Sequence, residues 1–396
     1  MASVATHPTQ SRTMILDIIR ASRMISRVEL AQATGLTQAT VSNVVRRLLE
    51  DGFVVEVGRG ASTGGKPRTL LRIEPTARYA LGVQLGADAT TFVLADLGGA
   101  TVSRWRRPAL TDPREAVDVI GTEVDGSLER AGVPRDRLIG LGVVAPGPQL
   151  AASGIALAPP AMTAWVDFPL RARLEDRTGL PVLLDNDATA TAVGLYWADG
   201  ITATTTIAAL FMGQGIGAGL LSGGQVYRGA TSNAGEIGHV TVDVDGPLCW
   251  CGNRGCVEML GGTAVTVERA RAAGVDLGPQ DRPTLAAFGA LARRALAGEP
   301  AALEVVERSA RFVAVAAHTL VNVVDPDLLV LTGPAFAVAG PLYLPVVTEV
   351  VTGTRFARGS GPIEVRLSTH GPESAALGAA ALVLQAELAP RGGDPA

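Results

Sequence analysis

All three cysteines of this 396-residue chain fall in one short window, Cys249 to Cys256. That clustering constrains the fold more than any other feature. Thiols so close in sequence cannot staple distant segments together, and an odd number of them points to a metal rather than to disulfides. His239 precedes them in the pattern H-x9-C-x-C-x4-C, and Gly252 and Gly255 ease the turns between them. One imidazole and three thiolates match a closed, structural Zn2+ site: a tetrahedral set of His239, Cys249, Cys251 and Cys256 has no open position for catalysis. Two other readings compete. A redox role does not account for His239, and three unrelated buried thiols beside a surface histidine require a coincidence of position.

A chain that needs one small metal knot is otherwise a conventional globular protein. At 47% hydrophobic and 18% charged residues it is not a disordered chain. Its length suggests two or three domains. No apolar run is expected to approach the roughly 20 residues of a membrane helix, and the first twelve residues lack the basic, apolar, small-residue order of a signal peptide. A cytoplasmic protein with no membrane partner is the expectation.

Net charge is −4, which by itself argues against nucleic acid. The charges are not evenly spread. Residues 1–74 carry ten basic and six acidic side chains, leaving 24 basic and 32 acidic for the rest. A basic head on an acidic body is a prior for a nucleic-acid-binding head. Its pattern fits. Met14, Ile15, Ile18 and Ile19 sit at helical spacing. Ser26 and Glu29 form a capping box, with Ile25 and Leu30 as its staple, and open a short second helix that ends near Gly35. A third helix starts after Thr37 as N-cap and runs to about Glu50. Its apolar side is Val41, Val44, Val45, Leu48 and Leu49. Gln38, Thr40, Ser42, Asn43, Arg46 and Arg47 lie on the other side, the hydrogen-bonding residues that a major-groove helix needs. A hairpin follows, residues 53–57 and 69–73, with a Gly-rich tip. Arg59, Lys66 (the chain's only lysine) and Arg68 suit phosphates or a minor groove. The alternative, a small helical domain with an ordinary polar face, leaves the basic wing unexplained.

From about Tyr79 the pattern alternates strands and helices. Strands are expected at 81–85, 91–95, 139–144, 181–184, 205–212, 217–221 and 328–331, and helices from about 188 and at 264–273, 283–297, 301–324 and 373–388. No long internal repeat is visible. Ligand groups belong at the carboxyl ends of such strands, where Asp185-Asn186-Asp187 falls. Asn233, Glu236 and His239 precede the cysteines and Glu258 follows them; with Asn186 and Asp187 they offer bidentate hydrogen bonding to sugar hydroxyls. The glycine cluster Gly213–Gly219 brings backbone amides near a phosphate in the right fold, though a tight turn uses the same residues.

These segments resemble the ROK family of repressors, open reading frames and sugar kinases. The carriers are Gly-Gln-Gly-Ile-Gly-Ala-Gly (213–219), Gly-Glu-Ile-Gly-His (235–239), Cys-Trp-Cys-Gly-Asn-Arg-Gly-Cys-Val-Glu (249–258) and Asp-Asn-Asp-Ala (185–188). The residues themselves read as a winged helix-turn-helix at 10–75 and a flexible tail at 389–396, and the resemblance implies a two-lobed α/β actin-like (ribonuclease-H-like) sugar-kinase fold at 79–388. Lobe one would take about 79–187 plus 373–388, and lobe two about 188–372. It further implies sugar binding by Asn186, Asp187, Glu236, His239 and Glu258, with His239 also a zinc ligand.

Family kinases resemble Asp-x-Gly-Gly-Thr in the first hairpin, but here the aligned residues are Gln84-Leu85-Gly86-Ala87-Asp88. Gln84 brings no negative charge for Mg2+, and Asp88 puts one where phosphates would approach. Asp187, the family's catalytic base, then reads as a sugar ligand, and no catalytic residue is assigned. The reading is a DNA-binding regulator, a repressor of carbohydrate genes, with operator DNA and a sugar or sugar derivative as partners and a homodimer or homotetramer as the assembly. An active ATP-dependent sugar kinase with an accessory DNA head is the alternative; a regulator controlled by a protein partner, with a vestigial sugar site, is a third reading.

Overall fold

A computed structural model describes residues 8–59, 68–147, 149–150, 154–155, 160–354, 356 and 361–388. The head comprises α1 (Pro8–Ser22), β1 (Ile25–Ser26), α2 (Arg27–Thr34), α3 (Gln38–Glu50), β2 (Val54–Arg59) and β3 (Thr69–Ile73). Its three strands pair antiparallel in the order β1-β3-β2. The capping box forms as the sequence predicts: the Glu29 carboxylate accepts from the Ser26 amide at 2.8 Å, and the Ser26 hydroxyl accepts from the Glu29 amide. Thr37 caps α3. The buried stripe of α1 differs from the expected one. Ile15, Leu16, Ile19 and Arg20 are buried, whereas Met14 and Ile18 are half-buried. The reason is tertiary: α1 packs on the body as well as on its own domain.

The body begins with β4 (Tyr79–Leu85), β5 (Ala89–Asp96) and β6 (Thr101–Pro108), then α4 (Pro113–Ala131), β7 (Leu138–Ala145), β8 (Gln149–Leu150), β9 (Gly154–Ile155), α5 (Leu170–Thr178), β10 (Val182–Asn186) and α6 (Asp187–Ala198). It continues with β11 (Ile207–Met212), β12 (Ile216–Ser222), β13 (Gln225–Val226), α7 (Val257–Gly261), α8 (Thr263–Ala272), α9 (Thr284–Leu296) and α10 (Pro300–Val324). It closes with β14 (Leu328–Thr332), α11 (Pro334–Thr354), β15 (Glu364–Leu367) and α12 (Ser374–Leu388). Two five-stranded sheets result, ordered β10-β7-β4-β5-β6 and β15-β14-β11-β12-β13. Each is an antiparallel meander whose first strand is flanked by two further parallel strands. The two lobes therefore share one topology, the repeat that is invisible in the sequence.

Between the sheets, α12 lies on the first and α6 on the second. These two helices approach so closely that a Cβ on Gly378 would sit 1.9 Å from the Ala190 carbonyl oxygen, so only glycine fits the crossing. One hydrophobic cluster joins the head residues Ile15, Leu16 and Ile19 to this α6–α12 seam.

In the body, β6, α4, β8, β9, α5, β13, α7, α11 and β15 lie outside the sequence expectations. The edge strand β6 is rich in exposed arginine. Helix α11 contains Pro341 and Pro345, which argue against a helix interior. It is also 21 residues long with a mean hydropathy of 1.5, so one helix does reach membrane-spanning length and apolarity, contrary to the expectation above. Phe336, Tyr343, Val347 and Val351 bury it in the second lobe's core.

Candidate functional site

The metal knot is assembled as the spacing predicts. The ligand atoms of His239, Cys249, Cys251 and Cys256 all lie within 4.8 Å of one another. Tetrahedral zinc, with bonds of about 2.3 Å to sulfur and about 2.0 Å to nitrogen, requires S···S near ~3.8 Å and N···S near ~3.6 Å. Cys251 and Cys256 sulfurs are 3.7 Å apart, and His239 Nδ1 is 3.6 Å from the Cys249 sulfur. These edges fit the ion. They are far too long for a disulfide. Burial, followed by hydrogen bonding to the Cys251 thiol, pushes the Cys256 thiol up to about 12. Without metal this thiol keeps its proton, and binding must displace it.

Beside the knot, Asp187, Glu236 and Glu258 lie within electrostatic reach of one another, and Asn186 adjoins Asp187 at the start of α6. Asn186 caps α6, its Oδ1 accepting from the Ala188 and Thr189 amides at 2.9 and 3.2 Å, while its Nδ2 donates to the Gly147 carbonyl. Asp187 opens α6 and is buried. Burial raises its carboxyl to about 7, against the Ala188 hydrogen bond and with help from the charges of Glu236 and Glu258. Glu236 is also raised by burial, although His239 opposes the shift. The three carboxyls thus feel one another's charge. Glu258 is held rigidly: Oε1 accepts from the Trp250 indole and Oε2 from the Ile216 amide, both at 3.0 Å. Trp250 packs edge-on against His239, so it ties the metal knot to the cleft. Asn233 donates to the Thr231 carbonyl at 2.7 Å.

Sequence reading missed the residues that bridge the lobes. Arg228, just after β13, makes a two-pronged ion pair with Asp185 on β10, at 2.7 and 3.1 Å. Asp185 in turn accepts from the Asn186 amide. No local pattern marks Arg228. A second bridge starts at Asp88 in the β4–β5 turn, which reaches the second lobe. Its Oδ1 accepts from Gln214 at 2.7 Å and its Oδ2 from the Leu285 amide at 2.8 Å, in the first turn of α9. A helix N-terminus with a neighbouring amide is an anion-binding arrangement. Here a carboxylate of the chain itself occupies it.

On the head, Gln38, Ser42, Asn43, Arg46 and Arg47 are exposed along α3, as a reading helix requires. Thr40 is half-buried, with its hydroxyl 2.9 Å from that of Thr37, and Arg46 pairs with Glu50 one turn away. Arg68 is exposed at the start of β3, and Arg59 ends β2. Lys66 and the tail at 389–396 lie outside the described residues.

Comparison with known proteins agrees with this layout. The ROK family matches residues 80–386, and a winged helix-turn-helix DNA-binding family matches residues 9–55. A putative xylose repressor of Caldicellulosiruptor sp. is 30% identical over 389 residues, covering 96% of each chain. The crystal structure of a ROK family transcriptional regulator, a homolog of the E. coli MLC protein, superposes with a TM-score of 0.74 at 21% identity, covering 95% of this chain and 96% of that one. A ROK family glucokinase from Streptomyces griseus, solved with glucose and AMPPNP, gives 0.65 at 25% identity and covers 77% of this chain and 98% of that one.

Proposed function

Because the chain belongs to the ROK family, we propose that it is a DNA-binding repressor of carbohydrate genes, released from its operator by a sugar. The observation that carries this reading is the pairing in one chain of the exposed polar face of α3 with the Asp187–Glu236–Glu258 cleft. The likeness to a xylose repressor along nearly its whole length supports a pentose such as D-xylose as the effector. Asn186, Asp187, Asn233, Glu236, His239 and Glu258 bind its hydroxyls. Gln38, Thr40, Ser42, Asn43, Arg46 and Arg47 read bases or phosphates, and the wing residues Arg59, Lys66 and Arg68 hold the backbone. His239, Cys249, Cys251 and Cys256 hold a structural zinc. Nδ1 of His239 faces the metal, leaving Nε2 for the sugar. The protein works as a homodimer or homotetramer on a two-fold operator in the cytoplasm, with the head at 10–75 and the sugar-responsive body at 79–388.

Genomic footprinting with and without D-xylose tests it. Protected sites beside carbohydrate genes, lost on adding the sugar, are expected; sites that ignore every sugar of a broad panel refute the effector. A kinase reading draws on one observation, the raised carboxyl of Asp187, which suits a general base. Against it stand the buried amide Gln84 in place of a metal-binding carboxylate and the Asp88 carboxylate on α9. ATP-dependent sugar phosphorylation that disappears in Asp187→Asn would establish the kinase instead.

A further inference from the structure

The end of α6 opposite to the sugar residues is gripped by the DNA-reading head. Arg20, on α1, is 6% exposed. Its Nη1 donates to the carbonyls of Tyr196 and Trp197 at 2.9 and 2.6 Å, the last turn of α6, and its Nη2 donates to the Ile201 carbonyl at 3.2 Å. Its Nε and Nη2 donate to Asp17 at 3.1 and 2.8 Å. The guanidinium lies 4.7 Å from the Tyr196 ring centre and 4.8 Å from that of Trp197. The Tyr196 hydroxyl donates to the other oxygen of Asp17. From the body side, Asp199, the C-cap of α6, accepts from Arg366 at 2.8 Å and pairs with His370 at 2.6 Å.

A buried guanidinium is costly unless its donors are used and its charge is met. Here Asp17 meets the charge. The orphan carbonyls at the negative end of the helix dipole take the donors. A planar fork reaching several carbonyls at once is arginine chemistry that lysine cannot reproduce. The arrangement is specific to one position of α6 along its axis, because hydrogen bonds of this length do not survive a shift of about 1 Å. The other end of the same twelve-residue helix is Asp187, capped by Asn186. A helix of this length is a rod of about 18 Å.

We propose that α6 is the coupling rod between the sugar cleft and the DNA head, with Arg20 as the latch that makes the head follow its position. This rests on the sugar-responsive reading above and assigns its regulation. Sugar bound at Asp187 and Asn186 biases the axial position of α6. The Arg20–Asp17–Tyr196 latch passes that bias to α1, whose neighbours in the head core include Val41 and Val45 of α3. Coupling is reciprocal, so DNA bound to the head must alter the N-terminal turn of α6 by the same route.

Two measurements on the full chain test this. In the first, hydrogen exchange is followed at the amides of residues 188–190, with and without a duplex enriched from a randomised pool by the protein itself. Wild type is expected to change its protection there when DNA binds. Arg20→Ala is expected to bind the duplex and lose that change, and Arg20→Lys to lose most of it. Tyr196→Phe keeps the ring and deletes one hydrogen bond; it should weaken the response in part, and it serves if Arg20→Ala does not fold. A change that persists in Arg20→Ala, or is absent in wild type, overturns the latch. In the second, the ratio of duplex Kd with and without D-xylose is expected to fall to within about twofold of unity in Arg20→Ala, while D-xylose binding is retained. If wild-type duplex affinity ignores D-xylose, the choice of effector fails, and the exchange experiment still decides the latch.

Discussion

Asp187 shows how far surroundings move a single residue. Its carboxyl, raised to about 7 chiefly by burial, is kept near half-protonated at neutral pH. A folded-state value above the ordinary one means that the fold prefers the protonated acid. The associated stability is present below about pH 4 and is lost as pH rises through about 7. Asp187→Asn removes the buried charge, so its melting temperature relative to wild type should rise between about pH 4 and about pH 7. An offset that stays constant with pH would refute this. Burial acts on the cysteines too, and a bound metal would reverse its outcome. Cys251→Ser should lower zinc content towards none and reduce thermal stability, because structural zinc binding is itself folding free energy. Metal analysis and melting curves check both, and a wild type that purifies with no metal and takes none up would refute the site. The cysteine spacing was readable because His239 and the three cysteines lie in one short stretch. Trp250 and Arg228 were not, since their roles depend on where Glu258 and Asp185 lie in space.

Elements were most legible where they depend on neighbours in sequence. The Ser26–Glu29 box and the Thr37 cap lie within a few residues of the turns they close. Ser26→Ala should therefore cost about 1 kcal/mol in chemical denaturation; a change near zero would mean that the box adds nothing. On α3, the exposed Arg47 is the better probe of DNA contact, because Arg46 already has Glu50 one turn away. Arg47→Ala should weaken duplex binding and reduce the salt slope by about one if it touches a phosphate. Unchanged affinity and slope would put the reading face elsewhere. Legibility fails where packing overrules local preference. Pro341 and Pro345 sit within α11 because Tyr343, Val347 and Val351 are buried in the second lobe. Likewise Arg20 enters the buried stripe of α1 because α6 supplies carbonyls for it. A signal for this was present: Arg20 lies one helical turn after Leu16 on the same face.

At the scale of the whole molecule, two lobes of the same topology are bridged by Asp88 and by the Arg228–Asp185 pair. Asp88 fills the anion position at the N-terminus of α9. Asp88→Ala should loosen the cleft, seen as a larger radius of gyration in solution scattering. It should gain no ATP turnover, because Gln84 still lacks a carboxylate for Mg2+. Phosphorylating activity appearing in this variant would show that Asp88 alone separates the regulator from a kinase.

Sequence alone determined the parts whose physics is local: the His239–cysteine cluster, the capped helices of the head, its basic charge and the ROK motifs of the cleft. Spacing, capping and charge are properties of neighbouring residues, so one dimension suffices to read them. The tertiary structure alone decided the doubled sheet topology, the glycine crossing of α6 with α12, the lobe-bridging contacts of Asp88 and Arg228, and the grip of Arg20 on α6. Each joins residues that are tens to hundreds of positions apart. Such pairings are set by which surfaces exclude water together and which buried polar groups meet a partner, and neither leaves a periodic mark along the chain.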